Sequence, residues 1–197
     1  MKPTLMMYID GNNFYKNIAE LYGVKNVYPK WKSMILGIRD LVQQDYDCYF
    51  SKAYFFSSLS DRADNPTKYD NHKKFLDKLS ECPYIDTIIG KLKCVPKDKD
   101  IPIDKNNPDT YKHVEKNTDV NMSNEMLLSD ADIIVILSAD SDFENTVNIL
   151  RQRGKTILAI APIGSKTSQI RNVVGQDNMI YLNHDFLDNY IGIKKIS

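Results

Sequence analysis

The sequence predicts an α/β fold in which a central, mainly parallel β-sheet lies between two layers of helices. Three observations support this prediction. Short apolar runs alternate along the chain with longer segments whose apolar residues recur at helical spacing. Two of the runs, at 132–137 and 156–161, are almost continuously apolar, which is typical of strands buried on both faces of a parallel sheet. Turn-forming residues separate the runs from the helical segments, so that strands lead into helices.

The first half of the chain is predicted to contain three strands and three helices. The first strand, 5–9, is bounded by Pro3 and by the turn-prone Asp-Gly-Asn-Asn sequence at 10–13. Apolar periodicity and aromatic content then predict helices at 14–22, 31–42 and 68–79 and strands at 49–56 and 84–92. The segment from Lys93 to Asn107 mixes prolines with lysines and aspartates without any period, and we expect it to be an exposed loop.

The second half continues the alternation of helix and strand. Strands are predicted at 132–137, 156–161 and 179–182, and helices at 119–129, 143–153, 166–173 and 185–190. Gly154 is expected to end the helix at 143–153 as a left-handed cap, a conformation that glycine adopts without steric cost.

Composition indicates one domain, residues 1–197. With 197 residues, 42% of them hydrophobic, the chain can fill one sizeable core. Lys and Arg number 26, and Asp and Glu number 26, so the net charge of zero supplies no overall field that would attract a polyanion. Contact with nucleic acid would therefore need a local basic patch.

The cysteines and the N-terminal segment bear on the cellular compartment. The three cysteines are widely spaced and odd in number, which argues against a disulfide framework and against a thiolate zinc site. The apolar run at the N-terminus is too short for a signal peptide or a membrane span. We therefore expect a cytoplasmic protein without membrane attachment.

Acidic residues follow the predicted strands at the edge where parallel sheets bind ligands, beyond the carboxyl ends of the strands. Asp10 follows the first strand, and Asp140 and Asp142 follow the strand at 132–137. Asp119 opens the helix that leads into that same strand. If the two strands are neighbours, their ends lie about 5 Å apart, close enough for these carboxylates to share one site.

Carboxylates at that distance repel one another unless they take up protons or share a cation. Oxygen ligands without nearby His or Cys favour Mg²⁺ or Mn²⁺ over zinc. Such ions activate a water and neutralise phosphate charge, so the chemistry indicated is phosphodiester hydrolysis. Each residue also has a simpler interpretation, because Asp119, Asp140 and Asp142 can cap helices and Asp10 can form an Asx turn with Asn13.

Three segments around these aspartates occur in a characteristic order. They are YIDGNNF at 8–14, EKNTDV at 115–120 and VILSADSDF at 135–143, with Gly-Lys at 154–155 before the next strand. Together they resemble the NYN family of PIN-like ribonucleases, which includes the LabA-like proteins. The resemblance spans residues 7–182.

The resemblance implies a three-layer α/β/α domain, an RNA substrate and a metal site for Mg²⁺ or Mn²⁺ built from Asp10, Asp119, Asp140 and Asp142. Two further residues are implied as supporting ones, Asn13 after the first strand and Ser138 beside the acidic pair.

The chain departs from the family pattern at two places. Members often carry an aspartate on the helix after the Asp-Val pair, where this chain has Asn124 and Glu125, and the usual glycine before the acidic pair is Ala139. Glu125 is the candidate that would replace the aspartate with a longer reach.

Two basic groups are candidates for RNA contacts, with solvated surface as the alternative. The candidate residues are Lys91, Lys93, Arg151, Lys166 and Arg171. Lysine and arginine beside an acidic metal centre would hold phosphates. Two functions follow. The first is a metal-dependent ribonuclease, expected to be an endonuclease on single-stranded regions. The alternative is a catalytically weak or inactive RNA-binding or regulatory module with the same fold.

Overall fold

A computed structural model describes residues 2–104, 107 and 109–192, and its elements alternate as follows. The strands are β1 (Thr4–Asp10), β2 (Tyr28–Pro29), β3 (Tyr49–Ser58), β4 (Ile85–Pro96), β5 (Tyr111–Lys116), β6 (Ile133–Leu137), β7 (Thr156–Pro162), β8 (Met179–Leu182) and β9 (Ile191–Gly192). The helices are α1 (Gly11–Leu21), α2 (Trp31–Asp45), α3 (Pro66–Ser80), α4 (Thr118–Leu128), α5 (Glu144–Gln152), α6 (Ser168–Val174) and α7 (His184–Leu187). Short 3-10 helices at Ser141–Phe143 and Gln176–Asn178 precede α5 and β8.

Seven of the strands form one sheet in the order β5-β4-β3-β1-β6-β7-β8. All neighbouring strands in this sheet are parallel except β4 and β5, which are antiparallel. The chain builds β3, β4 and β5 on one side of β1 and then crosses to build β6, β7 and β8 on the other side. The strand order therefore reverses between β1 and β6, which is the position where open α/β sheets bind their ligands. The predicted α/β architecture is confirmed.

Two apolar clusters cover the two faces of the sheet. Alternate residues of β1 point to opposite faces, so Leu5, Met7 and Ile9 join one cluster while Tyr8 joins the other. The first cluster contains buried residues of α1, α2 and α3, and the second contains those of α4, α5 and α6. Because both faces are covered, β6 is buried along its whole length, and this explains its continuous apolar sequence.

The structure differs from the sequence-based expectation at β4, β5 and the short β2–β9 pair. Strand β4 continues through Pro96, so the part of the expected loop from Lys93 to Pro96 is strand. It is paired with β5, which the sequence did not indicate. The reason is that both strands lie at the sheet edge, where polar and apolar residues alternate only weakly. Residues 97–104 are exposed and lack regular structure, while 105 and 106 lie outside the described residues.

Other boundaries shift by a few residues. Gly154 has a left-handed backbone (φ 78°), as expected for the residue that follows α5. Within the described parts of the chain, no helix has the length and apolar content needed to cross a membrane.

Candidate active site

The site lies at the carboxyl edge of the sheet, where β1 and β6 run side by side. Ile9 is paired with Leu137, so the next residues, Asp10 and Ser138, are neighbours. The buried Ser138 hydroxyl donates to Asp10 Oδ2 at 3.4 Å and accepts a hydrogen bond from the Asp140 backbone N–H at 3.1 Å. A single hydroxyl thus links the carboxylate that ends β1 to the loop that carries the second carboxylate.

Asp10 also begins helix α1. Its Oδ1 accepts a hydrogen bond from the Asn13 backbone N–H at 3.0 Å, so the expected bond between Asp10 and Asn13 is present and caps the helix. The Asn13 side chain in turn accepts from the Ala139 N–H at 3.1 Å and from Asn17 at 2.8 Å. These bonds fasten the start of α1 to the loop after β6, where Asp10 as a whole residue is only 5% exposed.

The glycine that follows Asp10 is required by close approach of the chain to β3. A Cβ atom on Gly11 would lie 2.5 Å from the ring of Phe55 and 2.9 Å from the Phe56 carbonyl oxygen. Neither the buried ring nor the backbone can move away easily, so only glycine allows α1 to start directly at the end of β1.

The second pair of aspartates forms the turn between β6 and α5. Asp140 caps the 3-10 helix, because its Oδ1 accepts from the Asp142 N–H at 3.0 Å. The capping interpretation is therefore correct for Asp140 as well, and it holds the carboxylate in one orientation at the edge of the sheet. Asp142 itself is exposed and faces a cleft.

A surface cleft of about 630 Å³ lies next to this turn, between α4, α5 and α6. Its lining residues are mostly polar: Asp119, Val120, Ser123, Ser141, Asp142, Glu144, Asn145 and Gln169. Asp119 and Asp142, predicted as members of one site, do line the same cleft. Glu144 is a third acidic residue there, and it was not predicted. The only sequence signal for it is its position two residues after Asp142.

The structure relates the four predicted aspartates two by two. The Ser138 hydroxyl bonds the Asp10 carboxylate and the Asp140 backbone N–H, and Asp119 and Asp142 line the same cleft. Among residues 2–104, 107 and 109–192, no three His, Cys, Asp or Glu side chains stand close enough together to form a metal-ligand group.

Glu125 lies away from the acidic cleft. It follows Asp119 by six residues on α4, which is about 9 Å along the helix axis. Burial raises the pKa of Tyr8 to about 12, and the nearby Glu125 charge contributes in the same direction. Burial also raises the pKa of Tyr54, with a smaller contribution from the same carboxylate. The structure thus places Glu125 near these two tyrosines.

A polar network that was not predicted flanks Asp10 on the other side. Asn12 donates to the Ser58 hydroxyl at 3.2 Å and accepts from the buried Ser57 hydroxyl at 3.3 Å. The same Ser57 hydroxyl lies 3.3 Å from Nε2 of His72 on α3. The network ties the turn after β1 to the end of β3 and to α3. Nothing in the sequence relates His72 to Asn12.

The basic candidates are dispersed. Lys91 and Lys93 lie on β4, and Lys166 lies in the loop between β7 and α6, at the carboxyl edge. Arg151 is near the far end of α5, where its guanidinium donates to the Val173 carbonyl and so closes the last turn of α6. Arg171 is exposed on α6.

The donor chemistry of the site fits a hard divalent cation. All candidate ligands are carboxylate oxygens, which suit Mg²⁺ and Mn²⁺. Mg²⁺ in particular keeps several waters and commonly takes only one or two protein carboxylates. Asp10 and Asp140 are two carboxylates near the switch point, and Asp119 and Asp142 are two at the cleft.

Comparison with known proteins agrees with the fold. Residues 4–182 match the NYN domain family. A search of curated proteins gives no significant match. The crystal structure of a protein of unknown function from Vibrio parahaemolyticus is similar to this chain, with a TM-score of 0.55 and 15% sequence identity over 94% of this chain and 96% of that chain. At that identity the similarity shows a shared fold. The narrower LabA-like grouping stays a prediction. Because the family match covers nearly the whole chain, this protein belongs to the NYN domain family, a family of PIN-like nucleases.

Proposed function

We propose that this protein is a metal-dependent ribonuclease that hydrolyses phosphodiester bonds in RNA, acting as an endonuclease on single-stranded regions. The observation that carries the proposal is the bridge from Asp10 through Ser138 to Asp140, located where the strand order reverses. The hydrogen bonds of Ser138 hold the end of β1, with the Asp10 carboxylate, beside the backbone of the loop that carries Asp140, at the ligand-binding edge of a nuclease-family fold.

The proposed metal is Mg²⁺ or Mn²⁺, held by Asp10 and Asp140, with Asp119 and Asp142 as further ligands or as ligands for a second ion. When bound, such an ion lowers the pKa of a water and neutralises phosphate charge. The chain's own contribution is orientation. The Asp10 carboxylate accepts from the Asn13 N–H and the Ser138 hydroxyl, and the Asp140 carboxylate accepts from the Asp142 N–H, so both are oriented before substrate arrives.

The cleft supports cleavage within a strand rather than from an end. Several of its lining residues, among them Asp119, Val120 and Asp142, are exposed, so the cleft is a surface groove. A strand can enter such a groove sideways without threading a terminus. Unpaired RNA also exposes its bases and phosphates, which makes it the more accessible substrate.

A second candidate is an RNA-binding or regulatory module that has lost catalysis. It is favoured by two observations: within the described residues no three potential ligand side chains form a metal-ligand group, and Glu125 lies by the tyrosines. A cytoplasmic location is part of both hypotheses.

Incubation of the purified protein with circular single-stranded RNA tests the proposal. A circle has no ends, so its conversion to a linear product requires endonuclease action. We expect this conversion with Mn²⁺ or Mg²⁺ and its absence with chelator. Asp140→Asn, purified in parallel, should be inactive, whereas Asp177→Asn, which changes an exposed aspartate before β8, should remain active. Binding of the circle without cleavage would favour the regulatory module.

A further inference from the structure

Strands β4 and β5 form a two-stranded ribbon that extends beyond the main sheet. The pairing of β4 with β3 ends at Gly90, opposite Ser58, and its pairing with β5 begins at the next residue, Lys91. The six residues from Lys91 to Pro96 therefore continue past the end of β3, for about 20 Å at the usual rise per residue. The ribbon projects outward beyond the carboxyl edge of the sheet, which is the edge that carries the candidate active site.

One face of this ribbon is basic. Alternate residues of a strand share a face, and directly opposed residues of an antiparallel pair share it too. The register opposes Val95 to Lys112, so Lys91, Lys93 and Lys112 lie on the same face. All three are exposed, and none pairs with a carboxylate in the part of the chain that the structure describes. We call this surface the lysine face.

The opposite face of the ribbon is attached to the domain. It carries Leu92, Cys94 and Pro96, which are half-buried, and Tyr111, which is 8% exposed. The Tyr111 hydroxyl donates to Asp64, in the loop before α3, at 2.9 Å. This attachment leaves the lysine face turned to solvent. Lys97, which follows β4, does not extend the lysine face, because its charge is paired with Asp109 at 3.6 Å.

Strand register relates the lysine face to the active site. Asp10 is paired with Phe56, and Phe56 with Ile88, so Lys91 lies two strands from Asp10 and three residues further along. With about 4.8 Å between strands and 3.3 Å per residue, the two backbones are roughly 14 Å apart. Ser57 is paired with Ile89 and so shares the face of Lys91. The polar network of Ser57, Asn12 and His72 therefore fills the interval.

We propose that the lysine face binds the phosphate backbone of single-stranded RNA and leads the strand across Asn12 and Ser58 to Asp10. This inference rests on the proposed ribonuclease function. It also gives a chain with no net charge a means of holding a polyanion, since three lysines without a carboxylate partner among the described residues stand outside an acidic centre that would otherwise repel phosphate. Contacts of this kind carry no base specificity, so binding should depend on salt far more than on sequence.

Fluorescence anisotropy with a labelled 20-nucleotide single-stranded RNA, in chelator so that no cleavage occurs, tests the inference. The ribbon variant combines Lys91→Gln, Lys93→Gln and Lys112→Gln. Each phosphate contact to a single strand contributes about 0.7 to the slope of log K against log salt, so three contacts contribute about 2. We expect the slope to fall by that amount and Kd at 0.1 M salt to rise on the order of 100-fold.

Two matched variants make the result specific. Replacing the same three lysines by Arg keeps the charges and should keep the affinity. A control variant removes three exposed lysines at or near the amino edge of the sheet, on the far side from the active site. It combines Lys2→Gln, Lys25→Gln and Lys78→Gln, and it should bind RNA within about twofold of wild type. Melting curves establish that each variant is folded.

Cleavage assays separate failure of this inference from failure of the proposed function. If wild type cleaves RNA with Mn²⁺ but the folded ribbon variant binds and cleaves as wild type does, the lysine face is not the RNA surface and the nuclease stands. If wild type binds RNA through the lysine face but never cleaves it, the surface stands and the nuclease proposal falls. Equal loss of affinity in the ribbon and control variants would also overturn the inference.

Discussion

Replacement of Asp140 by Asn separates a metal ligand from a helix cap. Asp140 Oδ1 accepts a hydrogen bond from the Asp142 N–H at 3.0 Å, and an Asn oxygen can accept the same bond. Asn and Asp cap helices about equally well, so the variant should have the same stability as wild type, within a few tenths of a kcal/mol, when no metal is present. The substitution does remove one negative charge from the proposed ligand pair.

The expected metal effect can be calculated. An ion that binds only the folded protein stabilises it by about 1.4 kcal/mol at ten times Kd. With an unfolding entropy of about 2.1 cal/mol/K per residue, a chain of 197 residues has an entropy of about 0.41 kcal/mol/K. The melting temperature of wild type should therefore rise by about 3 °C, and that of the Asn variant should not change.

Thermal melts of wild type, Asp140→Asn and Asp177→Asn, each with MnCl₂ and with chelator, measure this difference. The Asp177 variant controls for loss of one exposed charge and should respond as wild type does. Asp140→Ala removes the cap as well, and should lose about 1 kcal/mol even in chelator. An equal response to Mn²⁺ in wild type and in Asp140→Asn would show that Asp140 is not a ligand.

Four other perturbations test the account. Ser138→Ala should cost about 1–3 kcal/mol in urea unfolding, because it removes a buried hydroxyl that bonds both the Asp10 carboxylate and the Asp140 N–H, and should reduce RNA cleavage. Gly11→Ala should cost about 1–3 kcal/mol through overpacking, read as a lower melting temperature; an unchanged value would contradict the close approach described above. Replacing residues 98–109 by Asn-Gly should close β4 and β5 with a two-residue hairpin and keep cooperative unfolding, whereas a molten product would make the loop part of the core. Hydrogen bonds from Thr4 hold the pKa of Asp132 below its ordinary value, so Asp132 stabilises the fold above its unfolded pKa and ceases to do so as pH falls through the folded pKa. The melting temperature of Asp132→Ala should thus lie below that of wild type at pH 7, and the difference should shrink as the pH falls below the ordinary pKa of aspartate.

The central sheet could be predicted because the apolar content of each strand reflects how deeply that strand is buried. In β1 and β6 every position is apolar or nearly so, since helices cover both faces. The ribbon could not be predicted in the same way. Its two strands pair across the long intervening loop, and Lys91 and Lys93 alternate with residues that are only half-buried. The prolines and charged residues nearby obscure that alternation in the sequence.

The residues of the candidate site also differ in whether the sequence could predict them. Asp10 and Asp140 could be selected because each follows a strand, and position along one strand is legible in sequence. Glu144 and His72 could not be selected in this way. The first depends on which side of a turn faces the cleft, and the second on contact between α3 and the end of β3. Such relations arise only when separate elements pack.

The Ser138 bridge has a consequence for the folding of the chain during its synthesis. Asp10 and Ser138 are separated by 128 positions in the chain. A ribosome therefore makes the Asp10 part of the candidate site 128 residues before the Ser138 part. Pairing across such a separation belongs to the slow, non-local steps of folding. The growing polypeptide thus carries no assembled candidate site until β6 has emerged and joined β1.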